Sequence, residues 1–151
     1  SEYDGAESAE SSLFQIENLF RSNTHFQTTI VRLAGLIGPR RHPGQFFRHG
    51  KTVEQANAPV NLIHLDDCIA IINQIIEQNV WGETFNACAD SHPTKREFYS
   101  HATQLLGLSP PEFIEAEKEE YKIIDNMKVK QTLNYSFKHP DVMKIIFGND
   151  G

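Results

Sequence analysis

A chain of 151 residues with 39% hydrophobic and 23% charged residues has the make-up of one compact domain, which at this length buries roughly 70% of its unfolded surface. Its net charge of −6 excludes a duplex nucleic-acid binder, and no apolar run is long enough to span a membrane, so neither is expected as a partner. Two cysteines without C-x-x-C spacing, Cys68 and Cys88, suit small buried hydrophobes in a reducing compartment, and a cytoplasmic location is expected.

Residues 1–10 are small and acidic with no apolar period, and read as a flexible lead-in to a single unit over 11–151. Leu13, Ile16, Leu19 and Phe20 recur at helical spacing and predict an amphipathic helix over about 9–22, stopped by SNTH. TTIVRLAG is rich in β-branched residues and reads as a buried strand. A glycine- and proline-rich loop follows, with one helical turn expected in QFFRHG and a second extended segment in APVNLIHL. The clearest helix is DDCIAIINQIIEQN, with Leu65, Ile69, Ile72 and Ile76 on one stripe and Asp66 or Asp67 as its cap.

GETFNAC predicts a short strand. Thr94 and Glu97, three apart, predict a capping box opening a helix over about 95–106. Phe98, Ala102 and Leu105 should form its inner face and Gly107 its stop. SPPEF breaks the chain and EAEKEE reads as a solvated charge run. YKIID predicts a strand, NMKVKQTLN a short helix, and HPDVMKIIF a last helix with Pro140 near its first position. This alternation predicts an α/β layered fold, although the chain does not open with the strand, Gly-rich turn and helix of a doubly wound domain.

Two clusters invite chemistry. RRHPGQFFRHGK, residues 40–51, carries Arg40, Arg41, Arg48 and Lys51 with no acid, in a chain of net −6. It suits either a solvated loop or an anion site in which arginine forks grip a phosphate or carboxylate. His64, Asp66 and Asp67 suit structural roles instead: an aspartate capping the helix and His64 bonding locally. A metal needs three or four converging ligands, and no further His/Asp/Glu spacing supplies them. Asn86 reads as an amide tying backbone together, Trp81 and Phe85 as core, and His92 as a turn residue. Ser11, Ser12 and His25 are too scattered for a nucleophile and base.

IVRLAGLIGPRRHPG, VNLIHLDDCIAII and GETFNACAD resemble, in order and spacing, the second half of the extended short-chain dehydrogenase/reductases, the NAD-dependent epimerase/dehydratases that act mostly on nucleotide sugars. The resemblance runs from about Glu17 to Phe147. It implies late strands and helices of a Rossmann sheet plus a small α/β substrate-binding domain. It implies Ala34, Gly35 and Leu36 at the nicotinamide end of an NAD or NADP site, and Arg40, Arg41 and Arg48 as contacts to an anionic substrate such as a nucleotide-sugar.

Three departures qualify the resemblance. Gly35 and Gly38 lead into prolines rather than a helix, so they do not form the dinucleotide fingerprint. The positions matching the family's catalytic tyrosine and lysine hold Glu10 and Phe14, and the position matching its substrate-binding arginine holds Val60. The expectation is therefore a C-terminal half with no catalytic residues or bound cofactor of its own. It would pair with a separate Rossmann half or a second copy. The alternative is a non-catalytic binding module derived from the same family.

Overall fold

A computed structural model describes residues 12–117 and 121–147. The architecture is mixed α/β, and every strand pair is parallel. Helix α1 (Ser12–Arg21) leads into β1 (Ile30–Leu33) and β2 (Gly35–Ile37), then a 3-10 turn (Pro43–Phe47). Next come β3 (Val53–Glu54), β4 (Leu62–His64), α2 (Leu65–Glu77), β5 (Thr84–Ala87) and α3 (Lys95–Leu105). The described chain ends with β6 (Phe113–Ile114), α4 (Met127–Leu133) and a second 3-10 turn (Val142–Lys144).

Strand β1 pairs with β5 in the register Ile30–Thr84 to Leu33–Ala87, and β2 pairs with β4 from Gly35–Leu62 to Ile37–His64. The change of partner occurs within one step of the backbone. The Ala34 amide donates to the Ala87 carbonyl at 3.0 Å, and the Gly35 amide to the Asn61 carbonyl at 3.0 Å. Beyond β5 the Ala89 amide donates to the Leu62 carbonyl at 2.8 Å. The two strands therefore part at their carboxyl ends and β4 enters between them. Strands β3 and β6 form a separate short pair.

Two cores hold these layers. Ile63, Ile71, Ile75, Phe85, Val129 and Leu133 join β4, α2, β5 and α4, and the two buried cysteines serve as small apolar fillers, Cys68 inside this cluster. Ile37, Val60, Leu62, Phe98, Val142 and Ile145 join β2, β4 and α3 to the chain's last described turn. Burying each such large side chain contributes roughly 1.5–3 kcal/mol, which sets these clusters above any single surface contact.

Several expectations are corrected. The first helix occupies Ser12–Arg21, and its expected start lies outside the described residues. Of its side chains only Phe14 is buried, while Leu13, Ile16, Leu19 and Phe20 are half or more exposed. In α2 the buried residues are Asp67, Cys68, Ile71 and Ile75, and the expected stripe Ile69, Ile72 and Ile76 faces outward. Isoleucine recurs at 69, 71, 72, 75 and 76, so two neighbouring stripes are apolar and periodicity alone does not choose between them. Trp81 is exposed while Phe85 is fully buried, and on α3 Thr103 replaces Leu105 on the inner face.

The capping box of Thr94 and Glu97 is present, and Gly107 stops the helix at φ +65°. YKIID is not a strand; the pairing residues are Phe113 and Ile114, inside and just after the segment read as a break. HPDVMKIIF forms only a 3-10 turn capped by Asp141 rather than a helix started by Pro140. Part of the charge run, 118–120, lies outside the described residues, as do residues 1–11.

Candidate functional site

The site is built where β1 and β5 part. Along β1 and β2, Val31, Ala34 and Leu36 pack against the first core, and α2 covers that face. Arg32 turns the other way and grips Glu17 of α1 through two bonds, Nε to Oε1 at 3.0 Å and Nη2 to Oε2 at 2.6 Å. That fork holds the Glu17 carboxyl below its ordinary range despite partial burial. Of the three residues expected at a nicotinamide, Gly35 is the exposed one, while Ala34 and Leu36 are half-buried with side chains directed to the core. A Cβ at Gly35 would lie 2.8 Å from Leu62 Cδ2 and 3.2 Å from the Asn61 carbonyl oxygen, so a side chain there would need Leu62 to shift.

After β2 the chain turns sharply. Gly38 has φ +146° and Arg40 φ +61°, and the Arg41 amide closes the turn on the Gly38 carbonyl at 3.0 Å. Arg40, Arg41 and Arg48 are all exposed, the last at the end of the 3-10 turn. His42, in the same basic run, is buried: its Nδ1 accepts from the Gly44 amide at 3.0 Å and its ring meets Phe147 at 4.4 Å. This histidine shapes the loop and is not presented to a ligand. Gly44 lets the loop settle on α3, since a Cβ there would lie 2.4 Å from the Ala102 carbonyl oxygen.

The opposite rim comes from the segment after β5. Buried Asn126 donates from Nδ2 to the Cys88 carbonyl and to Asp90 Oδ1, both at 2.7 Å, and Lys130 Nζ donates to the same oxygen at 2.9 Å. Burial pushes the Asp90 carboxyl up, but the bonds from Asn126 and Lys130 outweigh it and the group stays below its usual value. Asn61 ties the strand junction to the later chain through Lys122 O and the Ile124 amide, each at 2.9 Å. His92 Nδ1 lies 3.1 Å from the Val60 carbonyl, and Asn86 is half-buried on β5. Burial raises both thiols, Cys68 and Cys88, to about 11, which makes them poor nucleophiles.

The helix start at residue 65 is arranged differently from expectation. His64 is the cap: its Nδ1 accepts from the Asp66 amide at 3.1 Å. Asp67 is fully buried and accepts from Tyr135 Oη at 2.6 Å and from the Lys138 and His139 amides at 2.7 and 3.1 Å. Desolvation, then the Asp67 carboxylate, drives the Tyr135 phenol far above its normal value. His139, which no sequence spacing flagged, lies against His64 with ring centroids 3.9 Å apart at a 40° tilt, and meets Asp66 Oδ2 at 3.1 Å. Ligand-type atoms of His64, Asp66 and His139 therefore lie within 4.8 Å of one another. The His64 Nδ1 lone pair already accepts from the Asp66 amide, and His139 Nε2 already meets Asp66 Oδ2, so these groups are engaged in local bonds. The trio fastens the chain's later segment to α2.

Among the described residues no helix is long and apolar enough to cross a membrane. No established family profile matches the chain. The chain is 38% identical over 130 residues to protein YeeZ of Escherichia coli K12, a stretch covering 85% of this chain and 47% of that relative, so it spans about half of YeeZ. Its fold resembles a conserved protein of unknown function from Silicibacter pomeroyi, with a TM-score of 0.73 at 20% identity, covering 87% of this chain and 52% of that one. It also resembles the UDP-glucuronic acid 4-epimerase of Bacillus cereus in complex with UDP-glucuronic acid and NAD, with a TM-score of 0.65 at 19% identity, covering 85% and 46%. The fold is thus that of about half of a Rossmann-like epimerase chain.

Proposed function

We propose that residues 11–151 are the C-terminal, substrate-binding portion of an NAD(P)-dependent nucleotide-sugar epimerase/dehydratase-like oxidoreductase. One observation carries this reading: parallel strands part at their carboxyl ends directly before an acid-free arginine loop, in a fold shared with a UDP-sugar epimerase. Open α/β sheets take ligands at such strand ends. On this reading Arg40, Arg41 and Arg48 hold the anionic part of a nucleotide-sugar, guanidinium forks matching its phosphate oxygens. Ala34, Gly35 and Leu36 form one wall beside the nicotinamide, with Gly35 the exposed member.

The described residues do not fit a dinucleotide by themselves. The glycines after β1 lead to a 3-10 turn, and no glycine turn opening onto a helix N-terminus is present among them to receive a pyrophosphate. NAD or NADP therefore belongs to the complete fold, and this chain alone is proposed to be inactive. In a cytoplasmic whole protein it would complete one side of a divided site.

Titration calorimetry of the 151-residue chain tests this. Weak binding of UDP-glucuronic acid, reduced tenfold or more by R40A/R41A/R48A, with no heat from NADH, is the expected result. Micromolar NADH binding by the chain alone would overturn it. A second reading, a binding module without catalysis, is favoured by the exposed apolar faces of α1 and α2. It predicts association with another polypeptide and no response to UDP-sugars.

A further inference from the structure

We propose that His64, Asp66 and His139 form a binding site for a divalent transition metal of the zinc class, placed where the segment after α4 crosses the start of α2. This site is independent of the nucleotide-sugar assignment. Sequence spacing offers His64, Asp66 and Asp67; the fold takes Asp67 into the interior and brings in His139 from 73 residues beyond Asp66. His64 Nδ1 lies 3.4 Å and His139 Nε2 3.1 Å from one oxygen, Asp66 Oδ2. A tetrahedral cation with bonds of about 2.0–2.2 Å holds its ligand atoms roughly 3.3–3.6 Å apart. Both separations approach that spacing, and the two nitrogens lie within 4.8 Å of each other. The rings are tilted by 40° and His139 is partly exposed, so a turn of its ring closes the last pair.

Neighbours that take no part in coordination fix these groups in place. His64 ends β4, paired with Ile37, and its buried ring lies under the β2 turn, where a Cβ on Gly38 would sit 3.4 Å from His64 Nε2. Buried Asp67 accepts from the Lys138 and His139 amides at 2.7 and 3.1 Å, which holds the backbone of His139 against α2. Anchoring of this kind lowers the ordering cost of binding. Two imidazoles and one carboxylate suit zinc and its neighbours in the series, whereas magnesium and calcium favour oxygen ligands alone. The local bonds are of a kind that a cation replaces. An ionised carboxylate only accepts, so His139 Nε2 carries the proton it shares with Asp66 Oδ2; on binding, that proton passes to solvent and both atoms become ligands. His64 Nδ1 exchanges the Asp66 amide for the metal, and that amide turns to water, since Asp66 is half exposed. A water completes the fourth position from the same open side. The Asp66 and Asp67 carboxylates favour the cation while Lys138 and the amide end of α2 oppose it, which sets the affinity in the micromolar rather than the nanomolar range.

Titration calorimetry of the 151-residue chain with zinc chloride, and separately with magnesium chloride, tests the site. One equivalent of zinc should bind with micromolar affinity and raise the thermal midpoint, because the metal ties the segment after α4 to α2; magnesium should give no heat. His139→Gln keeps a donor for Asp66 without the imidazole, and should weaken zinc binding by about tenfold or more in a chain that still folds. Asp66→Asn, at a half-exposed side chain, should weaken it likewise, so the outcome does not hang on one variant folding. Imidazole nitrogen resonances should shift on zinc addition at His64 and His139 and not at the exposed His25 and His49. No zinc binding at millimolar concentration, undiminished binding in either folded variant, or shifts confined to His25 and His49 would overturn the proposal. Equal binding of magnesium would overturn it too, since an imidazole-based site excludes that ion.

Discussion

Asp67 and His64 carry most of the local organisation around α2. Asp67 is fully buried and satisfied by one phenol and two backbone amides. Replacing it with Asn puts an NH2 against those donors, and Asp67→Asn should cost about 2–4 kcal/mol in urea unfolding, the range for disrupting a buried charged acceptor. His64 is a cap whose pKa lies below 6.5, first because burial disfavours the cation and next because positive charge on the neighbouring His139 repels it, with Asp66 and Asp67 opposing. A depressed pKa means the unfolded chain takes up the proton first. The cap's contribution is complete above pH 6.5 and declines as pH falls through the folded value. His64→Asn keeps an acceptor at the cap without the titration, so the fall in thermal midpoint between about pH 7 and 5 should flatten in that variant. The local bonding of His64 was legible in the sequence; its place as the cap and the burial of Asp67 were not. The partners of Asp67 lie 68 to 72 residues along the chain, a distance at which no local pattern operates, and an aspartate pair at a helix start looks like a cap by default.

At the scale of elements, legibility followed how local the determining interaction is. The Thr94–Glu97 box spans three residues and is present as read. YKIID carries strand-like composition but is tied by the Asn61 side chain and pairs with no strand among the described residues, and a strand exists only where another strand accepts its hydrogen bonds. The inward face of α2 was misread because the helix is apolar on two stripes, and the structure uses one of them. The basic loop is an element placed by contact rather than by periodicity. Gly44 touches the backbone of α3, with room for no Cβ. Gly44→Ala should therefore destabilise the fold by about 1–3 kcal/mol through forced displacement. If the loop is the anion site, the variant should also weaken UDP-sugar binding in conditions where the protein remains folded, measured by calorimetry on the folded fraction.

At the scale of the molecule, two cores close the strands on one side while β1, α1 and the outer stripe of α2 keep apolar surface exposed. The resemblance in sequence anticipated a partial Rossmann-like fold, and the structural likeness to half-length stretches of epimerase-type chains agrees with it. Residue roles at the strand ends depend on how Arg40, Arg41 and Arg48 meet a ligand, which side-chain type alone could not specify. The central claim is that this chain provides the substrate wall of a divided site, centred on the strand junction and the arginine loop. Amide chemical-shift mapping during titration with UDP-glucuronic acid tests it most directly. The account predicts shifts concentrated in residues 34–51 and reduced in R40A/R41A/R48A; shifts confined to other parts of the chain, or none at saturating ligand, would contradict it.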